Sequence, residues 1–155
     1  NLEFSTLIES PDFEVNTNSS GIGGNVGASV CIFEDNDLFE SFQFKLASHN
    51  SVIQAELLSI NFAACWAMEN WSKINIFMDS LTSTEALKKA NSKYLFINQI
   101  KSNMFQVIGS VSLPWVKDQA GITGNELTDQ FAKIATTDGQ ELNVSSPYSY
   151  YEKEN

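Results

Sequence analysis

The chain has 155 residues, 43% hydrophobic and 18% charged; this excludes a disordered polypeptide and predicts one domain with a substantial core. Nine basic against nineteen acidic residues give a formal net charge of −10, the reverse of the basic stripe with which nucleic-acid binders displace counterions from phosphates. Apolar runs are short and interrupted, which excludes a membrane-spanning helix. No signal peptide is expected, and a chain opening on Asn1 is expected to be a fragment of a longer polypeptide.

Residues 1–12 are polar and irregular and read as a lead-in. Phe13 to Thr17 reads as a strand, and Asn18 to Asn25 as a turn-rich stretch. Val26 to Glu34 is strand-like, an Asp35-Asn36-Asp37 turn follows, and Leu38 to Leu46 alternates Phe39, Phe42, Phe44 and Leu46 imperfectly with polar residues. Together these predict a three-stranded antiparallel meander. Ser51 to Glu69 is the clearest helix: Ser51 and Gln54 have capping-box spacing, and Ile53, Leu57, Ile60, Ala64 and Ala67 keep one apolar face with Glu56 off it. Ile74 to Met78 reads as a short buried strand ending in Asp79. Helices are then predicted over Ser80–Ala90 and Tyr94–Ile108, a strand over Val111–Val116, and a last helix from Thr123 to about Ala135. In that helix Leu127, Phe131, Ile134 and Ala135 recur at helical spacing with Lys133 outside. The tail, 138–155, is polar and expected to be loose or to lead into missing sequence.

The order β-β-β-α-β-α-α-β-α predicts an α/β domain over residues 13–137, a mixed five-stranded sheet flanked by helices. There is no internal repeat. Cys31 and Cys65 read as buried small apolar groups, which fits the interior of a cell, cytoplasm or nucleus. His49 precedes the long helix and reads as a turn residue. Trp66, Trp71, Trp115 and the eleven Phe read mostly as core or sheet filling. Lys88, Lys89 and Lys93 form the one basic cluster, with Lys101 and Lys117 further on.

Three carboxylates fall where a site is physically sensible. Asp79 ends a buried strand, and ligand sites in open α/β sheets lie just outside such ends. Glu56 sits on a helix side that can face the sheet edge, and Asp129 in the first turns of the last helix. Converging from three elements, they suit Mg²⁺ or Mn²⁺, and two such ions can activate water and stabilise a leaving oxygen. Each also has a plain alternative: Asp79-Ser80 as an N-cap, Glu56 as a solvated helix carboxylate, Asp129 as a complement to the helix dipole.

The stretch Trp115-Val-Lys-Asp-Gln-Ala-Gly-Ile-Thr-Gly-Asn-Glu-Leu-Thr-Asp129 resembles the last motif of type 1 ribonuclease H, in the form carried by non-LTR retrotransposon reverse transcriptases. The likeness is close at Trp115-Val116-Lys117, Gly121, Gly124-Asn125-Glu126 and Asp129. Gln54 to Ile60 resembles the family's helix motif and Ile76 to Ser80 its strand motif. The resemblance implies a ribonuclease H-like fold, and an endonuclease that cuts RNA in RNA–DNA hybrids with divalent metal ions bound by Glu56, Asp79 and Asp129. It also implies a reverse transcriptase domain of the same polyprotein as partner, no membrane, and a monomeric domain. Substrate contacts are expected from Asn18, Ser19, Ser20 and Asn125 and from backbone amides of the Asn18 to Gly24 turn, with hybrid specificity resting on 2′-hydroxyl groups.

Two positions depart from the family. Its first strand ends Thr-Asp-Gly-Ser, with the Asp bridging both ions, whereas this chain has Thr17-Asn18-Ser19-Ser20. An amide is neutral and its NH₂ cannot ligate a cation. A loss of ~3–4 kcal/mol in the transition state is a hundred- to a thousandfold in rate. Glu14 lies on the same strand face but about 13 Å away at strand rise, too far to substitute. Gln119 stands where the family has a histidine and cannot titrate. The sequence therefore supports two readings: a hybrid-cutting domain with an impaired metal site, or a non-catalytic ribonuclease H fold kept for binding or surviving as a relic. A transposase or integrase relative ranks third, because the Gly121 to Asp129 motif favours ribonuclease H.

Overall fold

A computed structural model of the chain describes residues 7–78, 95–105, 111–112 and 123–142. The meander forms as expected: β1 (Phe13–Ile22), β2 (Asn25–Glu34) and β3 (Asp37–Leu46) are antiparallel neighbours. β1 is longer than the sequence predicts. Asn18, Ser19 and Ser20 pair with Ser29, Ala28 and Gly27, so they are strand residues, and the turn is confined to Gly23 and Gly24. Asp35 and Asn36 make the second turn, both at positive φ, a conformation that Asn and Asp tolerate in tight hairpins.

Helix α1 (Val52–Glu69) opens on the predicted capping box, with Ser51 and Gln54 exchanging side-chain-to-backbone hydrogen bonds. It lies across β1 and β2 with Leu57, Ile60, Ala63, Ala64 and Ala67 buried. Glu56, expected off the apolar face, is buried as well. The chain then enters β4 (Ile74–Phe77), parallel to β1, and α2 (Leu95–Phe105) packs on α1, with Asn103 bonded to Asn61. β5 (Val111–Ser112) is parallel to β4. The predicted helix over Ser80–Ala90 and most of the strand predicted to reach Val116 lie outside the described residues.

Helix α3 (Thr123–Asp138) covers the other side of β1 and β2. Its buried stripe is Gly124, Thr128, Ala132 and Thr136, with Ala135 beside it, and Ile134 is exposed. Of the face predicted from Leu127, Phe131, Ile134 and Ala135, Ala135 is buried, Leu127 and Phe131 are partly exposed and Ile134 is exposed. The reason is close approach: a Cβ on Gly27 would stand 2.5 Å from the Ala132 carbonyl oxygen and the Thr136 nitrogen, and one on Gly124 2.5 Å from Asn16 Nδ2. Only small residues allow two backbones so near.

The five strands expected are present in mixed arrangement, and a short sixth, β6 (Gln140–Leu142), runs parallel to β3, giving the order β5-β4-β1-β2-β3-β6. The sheet therefore takes in residues that the sequence reading assigned to the tail. The lead-in is also tied down: Asn75 exchanges two hydrogen bonds with Ile8, and Asp12 two with Lys73. Trp66 is core, packed edge-on against Phe13, whereas Trp71 is 94% exposed at positive φ, contrary to its reading as filling. No helix among the described residues is long and apolar enough to cross a membrane.

Candidate functional site

The site is built on β1, at the centre of the sheet. Side chains alternate between faces along a strand, so Thr17 turns toward α1 and Asn18 toward α3. Thr17 Oγ1 donates to Glu56 Oε1 at 2.8 Å, and both residues are almost wholly buried. The bond lies in a dry setting, where a polar group left without a partner is costly, and it holds the Glu56 side chain in place. Glu56 is therefore not a solvated helix carboxylate.

On the opposite face, Asn18 Nδ2 donates to Asp129 Oδ1 at 3.3 Å, across 111 residues of sequence. Asn18 Oδ1 accepts from Ser19 N at 2.8 Å. The second oxygen of Asp129, Oδ2, is 2.9 Å from Lys133 Nζ, one helical turn on. Asp129 and Lys133 are each about half exposed. Behind them the helix is fastened to β2 by Ser29 Oγ, which donates to the Thr128 carbonyl at 2.6 Å. Thr128 Oγ1 turns back to the Gly124 carbonyl at 2.5 Å. Asn16, buried beside Gly124, has an Oδ1 with no hydrogen-bond partner among the described residues.

Of the residues singled out from the sequence, Asn18 and Asp129 meet directly, and Glu56 meets the neighbour of Asn18. Ser19 and Ser20 are partly exposed on β1, and Asn125 is partly exposed in the first turn of α3. Asp79 and Gln119 lie outside the described residues. Thr17 and Lys133 were not singled out. Thr17 was legible as the residue before Asn18, and Lys133 by its i,i+4 spacing from Asp129.

Of the expected donors, Glu56, Asp129 and the amide of Asn18 are described, and Asp79 lies outside the described residues. Among the described residues there is no group of three or more His, Cys, Asp or Glu placed to hold a metal ion. The amide of Asn18 presents its NH₂, not its oxygen, to Asp129, and each Asp129 oxygen already has a donor of the chain, one an amide and one an ammonium.

No protein-family model and no curated protein matches the sequence. Solved structures do. The protease-reverse transcriptase of prototype foamy virus superposes with a TM-score of 0.67 at 16% identity, over 83% of this chain and 21% of that one. A foamy viral protease-reverse transcriptase in complex with an RNA/DNA hybrid gives 0.66 at 13% identity, over 83% and 20%. Ribonuclease H1 of the archaeon Halobacterium salinarum gives 0.64 at 14% identity, over 82% of this chain and 98% of that one. The chain thus spans about a fifth of the viral proteins and nearly the whole of the archaeal one. At these identities the likeness shows the fold, which is that of ribonuclease H.

Proposed function

We propose that this chain is a ribonuclease H-type domain directed at RNA–DNA hybrids, with its hydrolytic centre impaired at Asn18. The observation that carries the reading is the hydrogen bond from Asn18 to Asp129 at the middle of the sheet. A strand residue and a helix residue that were matched separately to the family's motifs come together in space. Burial of Glu56 against Thr17 supports it, as does the likeness to a foamy viral protein held with a hybrid. Glu56, Asp79 and Asp129 are the carboxylates that would hold Mg²⁺ or Mn²⁺ in a working copy. In this copy affinity is weak, because Asn18 supplies no charge and Asp129 is engaged by protein donors. The setting we assign is a retrotransposon polyprotein inside the cell, in cytoplasm or nucleus, beside a reverse transcriptase domain.

The second reading is a ribonuclease H fold with no turnover, kept for binding or as a relic. It is favoured by the same amide and by the net charge of −10. Cleavage of a labelled RNA–DNA hybrid in Mg²⁺ and in Mn²⁺ separates the two, for the natural chain and for Asn18→Asp. The expected outcome is a natural chain at least about a hundredfold slower than Asn18→Asp. Equal rates would make the domain a working nuclease despite Asn18. Inert protein in both cases would move the reading to a binding or relic role.

A further inference from the structure

We infer that Asn18 and Lys133 together take the electrostatic place of a divalent cation at Asp129, closing that carboxylate to Mg²⁺ and Mn²⁺. The inference rests on the reading of Asn18 as standing at a cation-bridging position, and it adds a second residue, Lys133, to the cause.

A hard cation needs anionic oxygens with open lone pairs directed at it. Here each Asp129 oxygen meets a different donor: Oδ1 the neutral amide NH₂ of Asn18, Oδ2 the ammonium of Lys133. The amide cannot turn its oxygen inward cheaply. Asn18 Oδ1 accepts from the Ser19 backbone N–H at 2.8 Å, while Nδ2 faces a carboxylate. Reversing the amide would break the first bond and set oxygen against oxygen in the second. Lys133 is no chance neighbour either. It follows Asp129 by one helical turn with the acid nearer the N-terminus, the favourable orientation for such pairs. A cation approaching Asp129 therefore competes with an ammonium at Oδ2 and finds an anion missing at Asn18. The outcome is a metal-independent latch between β1 and α3.

This separates the two substitutions. Asn18→Asp supplies the anion but leaves the ammonium on Oδ2. Adding Lys133→Met removes that competitor, and an exposed pair of this kind is worth up to about fivefold in affinity.

The test is Mn²⁺ titration of the full chain by calorimetry, with thermal unfolding in EDTA and in Mn²⁺ as a second readout. The variants are Asn18→Asp, Asn18→Asp with Lys133→Met, and Asp129→Asn as the control for other carboxylates. Lys133→Gln serves in place of the methionine if circular dichroism shows that variant unfolded. Expected are a natural chain whose titration and melting in Mn²⁺ match those of Asp129→Asn, measurable binding by Asn18→Asp, and binding two- to fivefold tighter by the double variant, on the order set by an exposed ion pair. Mn²⁺ binding by the natural chain that Asp129→Asn abolishes would overturn the inference. A double variant no tighter than Asn18→Asp would overturn the part given to Lys133. If no variant binds, Asn18 and Lys133 displace nothing and the inference falls. Hybrid cleavage by the double variant reads the nuclease assignment separately. The expected binding order without cleavage keeps the inference and sinks that assignment.

Discussion

At the residue scale, the two faces of β1 place two adjacent side chains in different chemistry. Thr17 serves a buried carboxylate, and Asn18 serves a half-exposed one. Removing the Thr17 hydroxyl leaves Glu56 without that donor in a setting closed to water. Thr17→Val keeps the shape and should cost about 1–3 kcal/mol in urea unfolding. A loss below about 0.5 kcal/mol would mean that Glu56 is held by its other contacts. Burial also pushes the Cys31 thiol up, against a smaller lowering by its hydrogen bond with Thr128. At neutral pH it stays protonated and, being fully enclosed, should resist thiol reagents until the domain unfolds. Cys65 is raised by burial and then by the charge of Glu69, but it is partly exposed. It should react first. Modification of both thiols at one rate in native protein would contradict this packing.

At the element scale, α3 sets the position of Asp129 by how close it lies to the sheet. Its small stripe allows backbone approach at Gly27, where an added Cβ would strike the main chain of Ala132 and Thr136. Gly27→Ala should therefore push the helix outward and destabilise by about 1–3 kcal/mol, the range for overpacking. The same shift would lengthen the Asn18–Asp129 contact. Denaturant midpoints for Gly27→Ala check the first statement, and a midpoint unchanged from the natural chain would refute it. The large apolar residues of α3 point to another face, by the rule that holds where side chains fill the gap between layers. Here the gap is too narrow for them. Helix α1 obeys the ordinary rule, and its capping box was legible because the ring closes within four consecutive residues.

At the scale of the whole molecule, charge and fold pull apart. The fold is one whose neighbours include a protein bound to an RNA/DNA hybrid, yet the chain carries a formal −10. A field of that sign slows encounter with phosphates and leaves affinity to a few local lysines. If two or three lysines make the phosphate contacts, log K should fall with log salt at a slope of about −2 to −3. Fluorescence anisotropy of a labelled hybrid across a salt series measures this. A slope steeper than about −5 would reveal a broad basic surface that the composition does not contain. The sheet also extends further than its minimum: β6 covers part of the β3 edge at Phe44 to Leu46, which shortens an edge otherwise open to pairing with another chain.

What the sequence alone determined is local and repetitive. The strands of the meander, the α1 capping box, the Asp35-Asn36 turn and the element order follow from neighbours a few residues apart, and the three motifs in order point to the fold. What only the tertiary structure decided depends on residues far apart in the chain. β1 continues through Asn18 to Ile22 because β2 offers it a partner strand, although its Ser-, Asn- and Gly-rich end has turn composition. Glu56 is buried where α1 packs on β1 and β2, and Thr17, 39 residues away, donates to it there. Asp129 is turned toward the chain's own donors because a distant strand carries an amide and its own helix carries Lys133. The physical reason is common to all three. Local propensity is settled by a residue's own backbone and nearest turns. The fate of a polar group is settled by which partner the folded layers bring within hydrogen-bond reach.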